Sequence, residues 1–78
     1  MAESRRQIAL EVIADVSDKD VATLEPEMDL VGDLNIDSPR ALDLLVRLEE
    51  RLGIEISDED AANLNRVGDI LGYVDRLP

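Results

Sequence analysis

Hydrophobic residues recur at helical spacing in four stretches of the chain, and no stretch shows the sustained alternation of a β-strand. The first predicted helix runs from about Glu3 to Ala14. Its inward-facing residues are Ile8, Ala9, Val12 and Ile13. The second predicted helix runs from Ser38 to about Leu52 and ends at Gly53, a residue type that favours the position just past a helix C-terminus.

Two shorter helices are predicted in the last third of the chain. One follows Ser57, where the sequence S-D-E-D places a hydroxyl cap ahead of acidic residues that suit a helix N-terminus. The other begins after Asn65, a candidate cap. Its apolar stripe consists of Val67, Ile70, Leu71 and Val74. Gly68 and Gly72 weaken this helix by up to about 1 kcal/mol each relative to alanine, and close approach of a neighbouring backbone would explain both.

A connection of about 23 residues, Asp15 to Asp37, joins the first two predicted helices. Loops of this length are uncommon in compact domains unless they are functional or packed down. Pro26 stiffens this one, and it carries six apolar side chains: Leu24, Met28, Leu30, Val31, Leu34 and Ile36. We therefore expect an all-α fold, a small bundle of three longer helices and one short helix, with a long ordered loop lying over it.

The second predicted helix has more apolar residues than one buried face requires. Its core stripe consists of Ala41, Leu44, Leu45, Leu48 and Leu52. Leu42 and Val46 form a second apolar strip, rotated by about 100° from that stripe. The strip is bordered by Asp43, Glu49 and Glu50. An acid-edged apolar strip suggests a docking surface, the alternative being that loop residues such as Met28 or Leu30 cover it.

The start of the second helix has a candidate modification site. Asp37 or Ser38 can cap the helix, and Pro39 fits its first position, where a missing N–H costs nothing. A phosphate attached to the Ser38 hydroxyl would lie beside free backbone donors at the positive end of the helix dipole. Most serines at such positions are only caps, so the spacing alone leaves both interpretations open.

The composition excludes most enzyme chemistry. The chain has 78 residues, which predicts a single domain over residues 1–78, and it contains neither cysteine nor histidine. A disulfide framework, a thiol nucleophile and a serine–histidine pair are therefore impossible within it. We expect a protein that is not an enzyme and holds no metal.

The net charge of −11 restricts the partners. A polyanionic surface repels nucleic acid and anionic lipid and favours docking onto a basic patch of another protein, although excess acid also simply keeps small domains soluble. No stretch approaches the length of a membrane span, and the opening residues MAESRRQIAL lack a secretory signal pattern. We expect a cytoplasmic monomer.

Residues 29–60, DLVGDLNIDSPRALDLLVRLEERLGIEISDED, resemble the acyl carrier proteins of fatty acid and polyketide synthesis. The family pattern reads D-L-G-x-D-S-L, then V-E-L-V-x-x-L-E-E, then I-P/S-D-E-E. The similarity extends to the late V-x-D-I-x-x-Y-V segment and so covers nearly the whole chain. The combination is far more specific than any one piece, and it implies a bundle of three long helices and one short one.

The resemblance assigns roles to individual residues. It implies that Ser38 is the attachment site of 4′-phosphopantetheine, transferred from coenzyme A by a magnesium-dependent phosphopantetheinyl transferase, and that the arm's thiol carries acyl groups as thioesters. It implies that Asp37 assists at the transferase interface. It implies that acyl-loading and acyl-processing enzymes bind the carrier through basic patches. The residues that dock onto those patches would be Leu42, Asp43, Val46, Glu49 and Glu50. It implies that the space that shelters an acyl chain is lined by Leu44, Leu45 and Leu48.

Four departures from the family pattern surround the serine. Pro39 replaces the usual leucine, Arg40 replaces an acidic residue, Asn35 replaces the glycine, and Arg47 adds a positive charge. Asn35 can also adopt left-handed dihedral angles. Because Pro39 and Arg40 alter the surface beside the modification site, we add them to the docking residues and predict a specialised carrier with its own partners.

Other interpretations remain open at this point. The chain could carry aminoacyl or peptidyl groups, or it could be an unmodified acidic docking adaptor of carrier fold. A calcium protein is disfavoured: Asp15, Asp18 and Asp20 have loose ligand spacing, but the glycine and closing glutamate of an EF-hand loop are absent at the required offsets. The sequence assigns neither the cargo nor the pathway.

Overall fold

The computed structural model describes residues 4–78, and its regular structure is helical. The elements in chain order are α1 (Arg5–Ser17), a 3₁₀ turn (Val21–Thr23), α2 (Ser38–Leu52), α3 (Asp58–Ala61) and α4 (Val67–Asp75). The predicted all-α class, with three longer helices and one short one, is confirmed. The 3₁₀ turn lies within the long loop, and an isolated β-bridge joins Asp29 to Arg66.

Helix α1 is displaced along the chain from its predicted bounds. It begins after Ser4, whose hydroxyl accepts a backbone hydrogen bond from the first turn at 3.1 Å. The predicted start, Glu3, lies outside the described residues. The helix continues to Ser17 rather than ending at Ala14, because the stop signal is Asp18 in the left-handed conformation, with φ of 58°.

Helix α2 has the predicted bounds. Its C-terminus is closed by Gly53 in the left-handed conformation, with φ of 66°. The prediction that Pro39 is the first helical residue is wrong, since Ser38 holds that position and Pro39 the second. The shift costs no hydrogen bond, because the first four N–H groups of a helix have no partner within it.

Helix α4 is capped by a residue that lies within the helix. The prediction that Asn65 is its cap is therefore wrong as well. The Asp69 carboxylate reaches back and accepts hydrogen bonds from the backbone N–H groups of Asn65 and Arg66, both at 3.0 Å. The helix itself starts at Val67. An acidic side chain in the first turn also interacts favourably with the positive end of the helix dipole.

The core lies where α1 packs against both α2 and α4. It is aliphatic, and its largest fully buried side chains are Val12, Ile13, Ile36, Leu48, Val67, Ile70 and Val74. Outside it, α1 is also tied to the C-terminal segment: the Arg5 guanidinium donates to the main-chain oxygen atoms of Leu77 and Pro78, and Arg6 pairs with Asp75. None of the helices in residues 4–78 is long and apolar enough to span a membrane.

The long loop is ordered because backbone hydrogen bonds join it to the start of α4. The Leu30 N–H donates to the Asn65 carbonyl at 3.0 Å, and the Val67 N–H donates to the Met28 carbonyl at 3.1 Å. The apolar residues Leu30, Leu34 and Ile36 are buried, while Leu24 and Met28 are half-buried against the core.

One loop residue departs from the prediction that the loop's apolar side chains lie over the helices. Val31 is 70% exposed. The segment winds as a tight turn in which the Leu34 N–H donates to the Asp29 carbonyl and the Asn35 N–H donates to the Val31 carbonyl. Leu30 and Leu34 share the inner side of this turn, which leaves Val31 on its outer side.

The two glycines of α4 lie in different surroundings. The Gly68 N–H donates to the Pro26 carbonyl at 2.8 Å, and a Cβ at this position would lie 3.0 Å from the same oxygen. The expected close approach of a backbone is therefore confirmed for Gly68. It is wrong for Gly72, where a Cβ would meet nothing within 4 Å.

This difference predicts opposite effects of the same substitution. Gly72→Ala should stabilise the protein by about 0.5–1 kcal/mol, because alanine favours the helix and the added methyl group meets open space. Gly68→Ala should lose that gain, because its methyl group is pressed against the Pro26 carbonyl, and we expect it to be the less stable variant by about 1 kcal/mol or more. Urea unfolding of both variants provides the measurement, and equal free energies of unfolding would contradict the predicted contact.

Candidate functional site

Asp37 forms the cap of α2. Its backbone is extended, and its Oδ1 accepts a hydrogen bond from the Arg40 N–H at 3.1 Å. Its carbonyl accepts from the Ala41 N–H at 2.7 Å, which closes the first helical turn. The side chain therefore satisfies one of the backbone donors that a helix N-terminus leaves open.

Ser38 is consequently not needed as a cap. It is the first residue of α2, it is exposed, and its hydroxyl makes no hydrogen bond to any residue in the range 4–78. The sequence left Asp37 and Ser38 as equal capping candidates, and the geometry assigns the cap to Asp37. A phosphate on the free hydroxyl would lie at the positive end of the α2 dipole.

The loop fixes the position of this site from the N-terminal side. Asn35 adopts the left-handed conformation that was expected of it, with φ of 55°. The Ile36 N–H donates to the Leu30 carbonyl at 2.9 Å, and the Ile36 side chain is fully buried. Ser38 thus follows two residues after an anchored core residue, so its exposed hydroxyl is attached to a rigid support.

The apolar strip of α2 is open. Leu42 is 64% exposed and Val46 is 41% exposed. The alternative that loop residues cover the strip is wrong, since Leu30 is buried in the core and Met28 packs against it. The strip is therefore an uncovered apolar surface that begins one helical turn after Ser38.

The charged residues beside the strip differ in whether their side chains already have partners within the protein. The Asp43 carboxylate pairs with Arg47 at 3.1 Å, so that its charge is partly neutralised. The Glu49 carboxylate is half-buried and accepts a hydrogen bond from the Ile56 N–H at 2.7 Å, which holds the segment after α2 in place. Glu50 is exposed. Pro39 and Arg40, at the start of the helix, are exposed too.

A small apolar cavity of about 60 Å³ lies on the inner side of α2. Helix α2 contributes Ala41, Leu44 and Leu45 to its wall, and the remaining lining residues are Leu30, Ala61, Leu64 and Ile70. Leu48, which the resemblance grouped with Leu44 and Leu45, is buried in the core and does not line the cavity. The volume corresponds to about two water molecules at their share of liquid volume.

Among residues 4–78, two side chains have a raised pKa, and both lie outside α2. Partial burial raises the pKa of the Tyr73 hydroxyl, and the carboxylates of Asp60 and Glu49 add to the effect. A hydrogen bond with Glu27, together with the charge of that residue, raises the pKa of Glu25. The described residues contain no group of three or more acidic side chains that could hold a metal ion.

Comparisons with known proteins agree with this geometry. The family model for the phosphopantetheine attachment site matches residues 7–74. The meromycolate extension acyl carrier protein of Mycolicibacterium aurum is 36% identical over 80 residues, covering 99% of this chain and 82% of the relative. The acyl carrier protein of Helicobacter pylori is 41% identical over 64 residues, covering 82% of each chain. The chain belongs to the acyl carrier protein family.

A solved structure supports the family assignment at the level of the fold. A candidate acyl carrier protein from Mycobacterium tuberculosis, Rv0033, superposes with a TM-score of 0.83 at 29% identity, covering 92% of this chain and 96% of that one. The chain spans 58% of the length of the meromycolate extension acyl carrier protein of the same organism. The expected covalent cofactor of this carrier is 4′-phosphopantetheine.

Sequence reasoning missed part of the cavity wall of the carrier. Ile70 lies on the apolar stripe of α4, so its burial was predictable, but its place on the cavity was not. Ala61 and Leu64 belong to α3 and the turn after it, a segment too short to show a periodic stripe. Leu30 could be predicted only as one of several apolar loop residues.

The assignment of the cap predicts a difference in stability between two neighbouring variants. Asp37→Ala should destabilise the carrier by about 0.5–2 kcal/mol, because it removes the cap of α2. Ser38→Ala should change the free energy of unfolding by no more than about 0.5 kcal/mol, because an exposed hydroxyl without a partner is removed. Thermal and urea unfolding of the unmodified proteins would measure both, and a reversed order of stability would assign the cap to Ser38 instead.

Proposed function

We propose that this carrier is loaded at Ser38 with 4′-phosphopantetheine, whose thiol then carries acyl groups as thioesters between the enzymes of a lipid-biosynthetic pathway. The observation that supports the site most directly is that two neighbouring residues at the start of α2 have different roles. Asp37 caps the helix, which leaves the Ser38 hydroxyl exposed and without a partner among residues 4–78. The matched family model spans this position.

Within this proposal the chain itself supplies position rather than catalysis. Asp37 holds the first turn of α2 in shape, and the buried Ile36 fixes the approach of the loop. Acyl carrier proteins are carriers rather than catalysts, and we propose that this chain, acting as one carrier domain, likewise has no enzymatic activity of its own. A cytoplasmic location and a monomeric state remain predictions from the sequence.

Modification by a transferase tests the attachment site. The unmodified protein is incubated with coenzyme A, magnesium and a broad-specificity phosphopantetheinyl transferase, and its mass is measured. We expect a mass gain of one phosphopantetheine group on the wild-type protein and none on Ser38→Ala. Ser57→Ala is the matched control, because Ser57 also lies at a helix start but is used as a cap, and it should still be modified. If the wild-type protein gains no mass, the chain is an unmodified adaptor.

Carrier function requires contact with biosynthetic enzymes, and we propose that the apolar strip of α2 makes this contact. Leu42 and Val46 are uncovered, and the exposed Glu50 lies on the same helix. Apolar groups give such a contact most of its free energy, while an acidic edge steers it towards a basic surface. Pro39, Arg40 and Asp43 lie on the exposed side of the same helix and complete the proposed surface, with Glu49 fixed at its far end.

The strip can be tested with the same transferase. Leu42→Ala should lower kcat/KM by about fivefold or more, the loss typical of an interface anchor, because an exposed leucine makes its contacts only in the complex. The free energy of unfolding should change by no more than about 0.5 kcal/mol, as for other surface substitutions.

Val31→Ala supplies the control for that experiment. Val31 is exposed to a similar degree but lies in the loop rather than on α2, so we expect its substitution to leave kcat/KM unchanged. An equal loss in both variants would show that the docking surface is not confined to α2.

The cavity favours acyl over aminoacyl cargo. All seven side chains that line it are apolar, so it offers no side-chain partner for the amino group of an aminoacyl thioester. Its volume of about 60 Å³ admits only a short stretch of hydrocarbon unless the surrounding side chains move. The relative from Mycolicibacterium aurum is named for meromycolate extension, and we propose that this chain too is a specialised acyl carrier, in which Leu44 and Leu45 would contact the acyl chain while Leu48 supports them from the core.

A further inference from the structure

Arg40 is an unpaired cation beside the proposed attachment site. The chain has seven arginines and 19 acidic residues. Five of the arginines have partners: Arg5 binds main-chain oxygen atoms, and Arg6, Arg47, Arg51 and Arg66 pair with carboxylates. Among residues 4–78, Arg40 and Arg76 have no such partner. Arg40 is exposed and lies two residues after Ser38.

The fold gives Arg40 no electrostatic stabilisation of its own. It lies in the first turn of α2, where the helix dipole disfavours a positive charge. The nearest carboxylates in sequence are Asp37 and Asp43, each three residues away. Asp37 accepts a hydrogen bond from the Arg40 backbone N–H, Asp43 pairs with Arg47, and neither forms an ion pair with the Arg40 guanidinium. A guanidinium in this position can still bind a planar carboxylate from another molecule through two parallel N–H donors.

Arg40 also lies on a particular edge of α2. Arg47 and Arg51 follow Arg40 by seven and eleven residues, so at about 100° per residue the three arginines share one line along the helix. This line faces α1, because Arg51 pairs with Glu11 of α1. The apolar strip lies about 120–160° away around the helix, with Asp43 and Glu50 between the two edges. The exposed side of α2 is therefore basic at one edge, acidic in the middle and apolar at the other edge.

This order of charges specifies a partner. The charges of Arg47 and Arg51 are already matched by Asp43 and Glu11, which leaves Arg40 as the unmatched charge of the basic edge. We propose that the enzymes that act on this carrier hold a carboxylate against Arg40, close to Ser38, while their basic residues are placed against Glu50. The proposal rests on the proposed function, and it replaces a uniformly basic docking face with one of mixed charge.

A charge-reversal pair tests the position of Arg40. Arg40→Glu and Arg76→Glu change the net charge by the same amount, and Arg76 lies beyond the end of α4 rather than on α2. The probe is a phosphopantetheinyl transferase whose docking face is basic, with coenzyme A as co-substrate. Because a basic face repels Arg40, we expect Arg40→Glu to raise kcat/KM by about twofold to fivefold, as exposed charge contacts do, whereas Arg76→Glu changes it little. The gain should shrink as salt is added.

A charge swap in the transferase tests whether a carboxylate opposite Arg40 favours the wild-type carrier. The basic residues of its docking face are changed to glutamate one at a time, and each variant is assayed with the wild-type carrier and with Arg40→Glu. We expect at least one transferase variant to reverse the preference, so that it modifies the wild-type carrier faster than Arg40→Glu. Such a crossover identifies the position opposite Arg40.

The outcomes separate the two proposals. If Arg40→Glu and Arg76→Glu change kcat/KM equally, or if no transferase variant reverses the preference, the contact at Arg40 is overturned while loading at Ser38 stands. If the wild-type protein is not modified at all, the proposed function fails, and the inference about Arg40 falls with it. Circular dichroism and unfolding of both carrier variants confirm that they remain folded.

Discussion

The fold depends on the backbone hydrogen bonds between the long loop and the start of α4. The bonds of Leu30 with Asn65, of Val67 with Met28 and of Gly68 with Pro26 hold the loop against the bundle. Without them, only side-chain contacts and the hydrogen bonds within the loop itself would order a segment of this length, against a cost of about 1–2 kcal/mol of backbone entropy per residue. With them, the loop brings Leu30, Leu34 and Ile36 into the core and delivers Asp37 to the start of α2.

The same arrangement explains how the proposed attachment residue, Ser38, stays exposed and yet well placed. A serine at a helix start usually satisfies a backbone donor, which occupies its hydroxyl. Here Asp37 makes that bond, so a group attached to Ser38 would leave the cap of α2 in place. A helix whose cap was itself modified would change its own terminus each time the group was loaded.

The residue pattern predicted those features that rest on one helix and its two faces. The bounds of α2, the burial of Leu44 and Leu48 and the exposure of Leu42 all follow from a period of 3.6 residues. The cap of α4 could not be predicted in this way, because Asp69 lies within the helix and accepts hydrogen bonds from residues that precede it. Nor could the exposure of Val31, since it depends on how a non-periodic turn winds.

The cavity and the pairing of the charged residues also could not be predicted from the sequence pattern, and the physical reason is the same for both. Both depend on distances between elements that are far apart in the chain. Asp43 and Arg47 could be paired from their spacing alone, but the engagement of Arg51 by Glu11 requires α1 and α2 to lie side by side. Since that pairing satisfies the far end of the basic edge, it is the packing of α1 against α2 that leaves Arg40 as the charge available to a partner.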